Sequence, residues 1–394
     1  MRVTTSSAGA LLGSGVVSVA LVLASSATAN ASTGGDDHGG GSGVSVTQTN
    51  LISDELGQAP LVDPNLINPW GMSFGTGATA TPVWVSDNGA DVSTLYKGAT
   101  TPPSFTKVPL TVSIPGGAPT GQVFNGSATD FVVHSGSANG AAKFIFDSEA
   151  GWIVGWNPNV PAANSTQATP AVQVPKAVFK GLALANTGGA NYLYATDFHH
   201  GKVDVFDSTF TLQHWSGAFR DKHIPDGYAP FNIALLNGNL YVTYAKQDAA
   251  KHDDVAGAGH GFVDVFSTSG TLLNRLVAGG GLNSPWGLAI APSSWGSLAG
   301  SLLVGNFGDG RIHSYDPTSG HALGALRDAS GHKITIDGLW GLLPGNGVAA
   351  DPQSVIFSAG PDGEAHGLVG VLQAAVASGK DGDGDNDGDG GMKH

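Results

Sequence analysis

The chain has no cysteine. That excludes disulfides, thiolate metal sites, a cysteine nucleophile and a lipid-modified N-terminal cysteine, so burial alone must hold the fold. Charge is also scarce, with Asp, Glu, Lys and Arg making up 12% of 394 residues. The surface is therefore carried by Gly, Ser, Thr and Asn. Positive charge is scarcest: 17 Lys and Arg face 31 Asp and Glu, a formal net charge of −14. That balance argues against nucleic acid as a partner. Helical periodicity is missing after residue 44. The nearest candidate, Val369 to Val376, reads better as a closing strand. Catalytic signatures are missing too, with no G-x-S-x-G elbow and no H-E-x-x-H zinc motif. Gly308-Asp309-Gly310 is a turn and not a dinucleotide fingerprint.

What is present is a repeat. Pro69-Trp70-Gly71, Pro119-Thr120-Gly121, Phe179-Lys180-Gly181, Pro230-Phe231-Asn232, Pro285-Trp286-Gly287 and Leu339-Trp340-Gly341 are six versions of one phrase. Their last residues are 50, 60, 51, 55 and 54 positions apart. Periods of that length mark a propeller or another array. Each anchor leads into a short apolar run, a turn and two further strand-like runs. The second runs are read as Val83-Trp84-Val85, Phe131-Val132-Val133, Tyr192-Leu193-Tyr194, Leu240-Tyr241-Val242, Leu302-Leu303-Val304 and Val355-Ile356-Phe357. The third runs include Phe144-Ile145-Phe146, Val203 to Phe206, Val263 to Phe266 and Ile312 to Tyr315. They are β-branched and aromatic, bounded by Gly, Asn, Asp and Pro. Four strands make a blade, so the expected fold is all-β, a six-bladed β-propeller of four-stranded antiparallel blades. The 60 glycines suit the tight turns this fold needs. A β-sandwich pair is the alternative, and the regular spacing argues against it. The last unit lacks a fourth strand, and Val44 to Ile52 is strand-like without a repeat of its own. It is expected to close the ring.

The ends fall outside this pattern. Residues 1–29 read as a signal peptide: Arg2, an apolar stretch from Leu11 to Leu23, then Ala27-Thr28-Ala29. Residues 30–43 read as a flexible leader, 44–376 as the propeller and 377–394 as a disordered Asp/Gly tail. The expected product is a secreted monomer with no membrane span in the mature chain. In the tail, Asp383-x-Asp385-x-Asp387-Gly388 starts like a calcium loop, but its twelfth position is His394 and not the bidentate Glu that completes one. Weak affinity for a divalent cation such as calcium is the expectation.

In an up-and-down blade, the start of the first strand and the end of the second share one edge. Two loop sets therefore ring one mouth of the axis, and loops on a rigid scaffold are where function usually sits. The first set holds Asn68, Trp70, Gln122, Lys180, Asn232, Trp286 and Trp340. Its tryptophans either stack on a sugar or aromatic ligand or plug the wedge between blades, the second reading being favoured. The second set supplies the candidate ligand-binding residues Asp87, Asn88, Asp197, His199, Lys246, Asp248, Asn306 and Asp362, with His134 and Glu364 alongside. Capping of their own turns is the competing role for each. His200, His260 and His366 each precede a glycine in matching positions. They are either divalent-metal ligands or polar turn residues on separate blades. The fourth unit carries a long Lys-, Asp- and His-bearing insertion from Lys246 to His260, read equally as a functional loop or a solvated hairpin.

Several longer phrases resemble a family of secreted bacterial β-propellers related to NHL-repeat proteins. They are Asn50 to Asp54, Asp63 to Gly71, Trp84 to Gly89, Tyr241 to Asp248, Gly261 to Phe266 and Gly305 to Gly310. The resemblance covers roughly residues 46–372. It implies the propeller architecture and no catalytic residues. Distant propeller relatives include lactone hydrolases and lyases with a metal on the axis, an analogy of fold alone. Two functions follow. One is a scaffold binding a small molecule or an extracellular partner at the axial mouth. The other is a metal-assisted hydrolase or lyase using Asp and His of the second loop set.

Overall fold

The structure, a computed structural model, describes residues 44–100 and 103–375. The expected signal peptide over 1–29, leader over 30–43 and tail over 377–394 lie outside the described residues. No helix among the described residues is long and apolar enough to cross a membrane.

The chain is a six-bladed β-propeller. The innermost strands are Pro69–Ser73, Pro119–Phe124, Phe179–Thr187, Tyr228–Leu236, Pro285–Ile290 and Leu339–Pro344. They contact one another in cyclic order, the last against the first. Five blades are antiparallel sheets of four strands running outward. The sixth is completed by Val46–Ser53, which pairs antiparallel with Leu368–Ala374. The ring is thus closed by the N-terminal strand, as expected. A further short strand, Leu61–Val62, adds to it in parallel.

The repeated phrase has a physical cause. Pairing of the first and second strands slips at this phrase in all six blades: between Pro69 and Met72, Pro119 and Gln122, Phe179 and Leu182, Pro230 and Asn232, Pro285 and Gly287, and Leu339 and Leu342. Such bulges re-aim side chains. The glycine that follows lets neighbouring blades touch backbone to backbone. A Cβ on Gly71 would lie 2.5 Å from the Thr120 carbonyl oxygen, and one on Gly121 would lie 2.2 Å from the Leu182 nitrogen. Apolar clusters fill the wedges between blades. Ile145 and Ile153 of blade 2, for example, pack with Phe179, Leu193 and Phe206 of blade 3. Each such side chain stabilises the fold by roughly 1.5–3 kcal/mol relative to exposure.

Blade 2 departs from the expected register. Phe131-Val132-Val133 is not its second strand. Val132–Ser135 pairs with Ala138–Ala141 as a separate hairpin. The second strand is Phe144–Ser148 and the third is Trp152–Trp156. The 60-residue spacing between Gly121 and Gly181 is the trace of this inserted hairpin. His134, expected at the mouth, sits on the hairpin instead.

Candidate functional site at the polar end of the axis

The middle residues of the six repeats are Trp70, Thr120, Lys180, Phe231, Trp286 and Trp340, and all are buried. The aromatic ones form a layer. Trp70 stacks on Trp340 with ring centres 3.5 Å apart, and Trp286 meets both edge-on. Phe307 stacks on the Trp340 ring at 3.9 Å. The tryptophans therefore plug the axis. The Trp286 indole N–H donates to the Lys180 carbonyl (3.0 Å) and that of Trp340 to Asn68 Oδ1 (2.9 Å).

Polar groups gather at the end of the axis where the inner strands begin. Lys180, only 2% exposed, holds its ammonium 5.1 Å from the Trp70 ring centre. It pairs with Glu149 and reaches Asp253 Oδ1 at 3.4 Å. Asn88 Nδ2 donates to Glu149 Oε2 (3.1 Å). Asn68 Nδ2 donates to Glu364 Oε2 (2.6 Å) and lies 3.3 Å from Asn88 Oδ1. Burial raises the Glu364 carboxyl above its usual range, and the negative charges of Glu149 and Asp253 push it the same way. Burial also raises Asp254. Blades 1, 2, 3, 4 and 6 thus contribute polar side chains to one cluster.

The insertion of blade 4 builds part of this cluster. Asp248 Oδ1 accepts the backbone N–H groups of His252 (2.8 Å) and Asp253 (3.3 Å), which folds the loop back. Glu149, His252 and Asp253 each offer a ligand atom, and those atoms lie within 4.8 Å of one another. A carboxylate, an imidazole and a second carboxylate at that spacing could hold a divalent cation.

Of the eight residues singled out from the sequence, Asn88 is the one the structure bonds directly into this cluster. Asp248 acts beneath it through the loop backbone. Asp87 is fully buried beside Asp63, and burial, with the Asp63 charge adding, holds its carboxyl well above the usual range. Asp197 is buried and accepts from the backbone N–H (3.1 Å) of His200, whose Nδ1 lies 2.6 Å away. His199 is half-buried, edge-on to His200. Lys246 is half-buried at the end of Asn239–Lys246. Asn306 is buried and donates to the Gly281 carbonyl (2.8 Å) and to Asp309 (3.1 Å). Asp362 is exposed in a left-handed turn, its N–H bonded to Asp337. The three matching histidines each have a local partner: Asp197 for His200, the Val255 carbonyl for His260 and Asp54 for His366.

Glu149 was missed because the second run of blade 2 was misplaced. Aligning Asp147-Ser148-Glu149 with Ser86-Asp87-Asn88 at the strand ends would have found it.

No family model matches the chain. Two proteins of Acanthamoeba polyphaga mimivirus are similar to it. "Uncharacterized protein R648" is 34% identical over 331 residues, covering 82% of this chain and 78% of its own length. "Uncharacterized protein L690" is 33% identical over 333 residues, covering 82% and 84%. Among solved structures, an alpha-L-arabinofuranosidase of Fusarium graminearum in complex with an iminosugar inhibitor superposes with a TM-score of 0.51. It is 11% identical, over 84% of this chain and 98% of that one. That likeness is one of fold.

Proposed function

The chain belongs to the family of the mimivirus proteins R648 and L690, and from the geometry of its axis we propose that it is a secreted, monomeric ligand-binding propeller. The ligand is small and positively charged and sits at the polar end of the axis. One observation carries this reading: charged side chains from four blades meet there, and carboxylates outnumber the ammonium. Glu149, Asp253 and Glu364 face Lys180. A cation entering that group gains the attraction of the surplus negative charge in a partly desolvated place. Calorimetric titration with calcium, manganese, zinc and spermidine tests it. Saturable binding of at least one, weakened at least roughly tenfold by Glu149→Gln, supports the proposal. Absence of binding by all four rejects it.

The grouping of Glu149, His252 and Asp253 favours a second reading, a metal-assisted hydrolase or lyase. A divalent ion held there would polarise a carbonyl or activate water. Element analysis of the purified protein and a panel of lactones and esters separate the two readings. Turnover that requires metal and is lost in His252→Ala would establish catalysis. Metal binding without turnover leaves the binding role.

A further inference from the structure

On the other side of the tryptophan layer the axis opens into a cavity of about 530 Å³. Trp286 lines its inner end, and all six inner strands contribute to its wall, starting at Gly71, Gly121, Leu182, Asn232, Trp286 and Gly341. None of its lining residues is charged, in a chain of net charge −14. Its outer part is largely apolar, with Phe74, Phe124, Leu184, Leu235 and Leu343 half-buried or exposed around it beside the exposed Thr76 and Thr79.

The buried polar side chains in the wall are already engaged. Ser73 Oγ donates to Gln122 Oε1 (3.1 Å), and Gln122 Nε2 donates to the carbonyls of Gly71 (2.7 Å) and Trp84 (3.1 Å). Asn232 Nδ2 donates to the Trp286 carbonyl (2.7 Å), and its Oδ1 accepts the Ile233 N–H (2.8 Å). Beyond the exposed hydroxyls of Thr76 and Thr79, the remaining polar surface is the peptide edge of the inner strands, since each is the innermost strand of its sheet. Such an edge can bond a hydroxyl or carbonyl but cannot neutralise a charge. A cavity of this size and lining suits a small molecule.

We propose that this cavity binds one neutral lipophilic molecule, an aliphatic body carrying an uncharged hydroxyl or ester group. A charged headgroup finds no counter-ion in the wall and loses its hydration on entry. The site is separate from the polar end and lies on the opposite side of the tryptophan layer.

Nile red, a neutral lipophilic dye, tests this with the full chain, below the micelle concentration of every competitor. The dye is expected to bind saturably, one per chain. Monolaurin should displace it at least roughly tenfold better than dodecanoate or dodecyltrimethylammonium, which share its chain length but carry charge. Ala234→Phe, which fills the cavity, should weaken dye binding by a similar factor at an unchanged melting temperature. Leu235→Trp at the exposed rim serves where Ala234→Phe does not fold. Leu273→Ser, on an exposed outer strand, should leave the dye bound as before. Non-saturable binding, equal displacement by charged competitors, or binding unaffected by a folded filling variant would overturn the proposal.

Discussion

The indole N–H of Trp286 donates to the backbone carbonyl of Lys180, reaching from blade 5 to blade 3 across the ring. Both residues are the middle member of their repeat. At one and the same position, the fold places a tryptophan that closes the axis and a lysine whose ammonium faces the polar end.

That lysine makes the first prediction. Replacing Lys180 by Met leaves Glu149 and Asp253 facing each other without their cation. Breaking a buried pair in this way costs roughly 3 kcal/mol, because the surviving charge stays desolvated. Urea denaturation should show this loss, and adding Glu149→Gln to the Lys180→Met chain should recover part of it. A loss no smaller in the double variant would show that the pair is not the source.

The repeat glycines make the second. Gly121→Ala places a Cβ 2.2 Å from the Leu182 backbone nitrogen of the next blade, and backbone cannot give way cheaply. We expect a loss of at least about 2 kcal/mol in chemical denaturation. Gly188→Ala sits at a turn with φ of +61° and open space around its Cβ, so only local strain of about 1 kcal/mol opposes it. Equal effects would mean that the contact between blades does not set the repeat.

Buried carboxyls make the third. Burial raises Asp147 and Asp264 to about 7 each. Thr120 Oγ1 lies 2.9 Å from both Asp147 Oδ1 and the Phe179 carbonyl oxygen. A threonine hydroxyl has one proton, so a protonated Asp147 can donate to Thr120 while Thr120 donates onward to Phe179. The folded state therefore holds these protons up to about pH 7, whereas the unfolded chain releases them near pH 4. Their contribution is fully present below pH 4, declines as pH rises through this window and is gone above 7. The melting temperature should be higher at pH 5 than at pH 8, and Asp147→Asn should flatten that slope. A melting temperature that rises from pH 5 to pH 8 would contradict the assignment.

The order and closure of the blades were legible before any coordinate. Trp70-Gly71 and its five counterparts recur because each blade meets the same local demand, a bulge followed in five of the six by a glycine small enough for the next backbone. Val46–Ser53 could be read as the missing strand because the last repeat was one strand short. Blade 2 misled, because Phe131-Val132-Val133 has the composition of a second strand, and composition does not say which sheet a strand joins.

The candidate site was legible only in outline. Asp87, Asp197 and Asn306 follow their strands as expected, yet each is buried and turned away into its own blade or turn. Glu149, Asp253 and Glu364 come together with Lys180 only because the ring brings blades 2, 3, 4 and 6 to one axis. Sequence by itself determined the architecture, since strand patterning and turn chemistry act over a few residues and are written locally. Tertiary structure alone decided which charges share one partly desolvated space and which tryptophans divide the axis. Those contacts join residues far apart in the chain, and they exist only once the first and last blades have met.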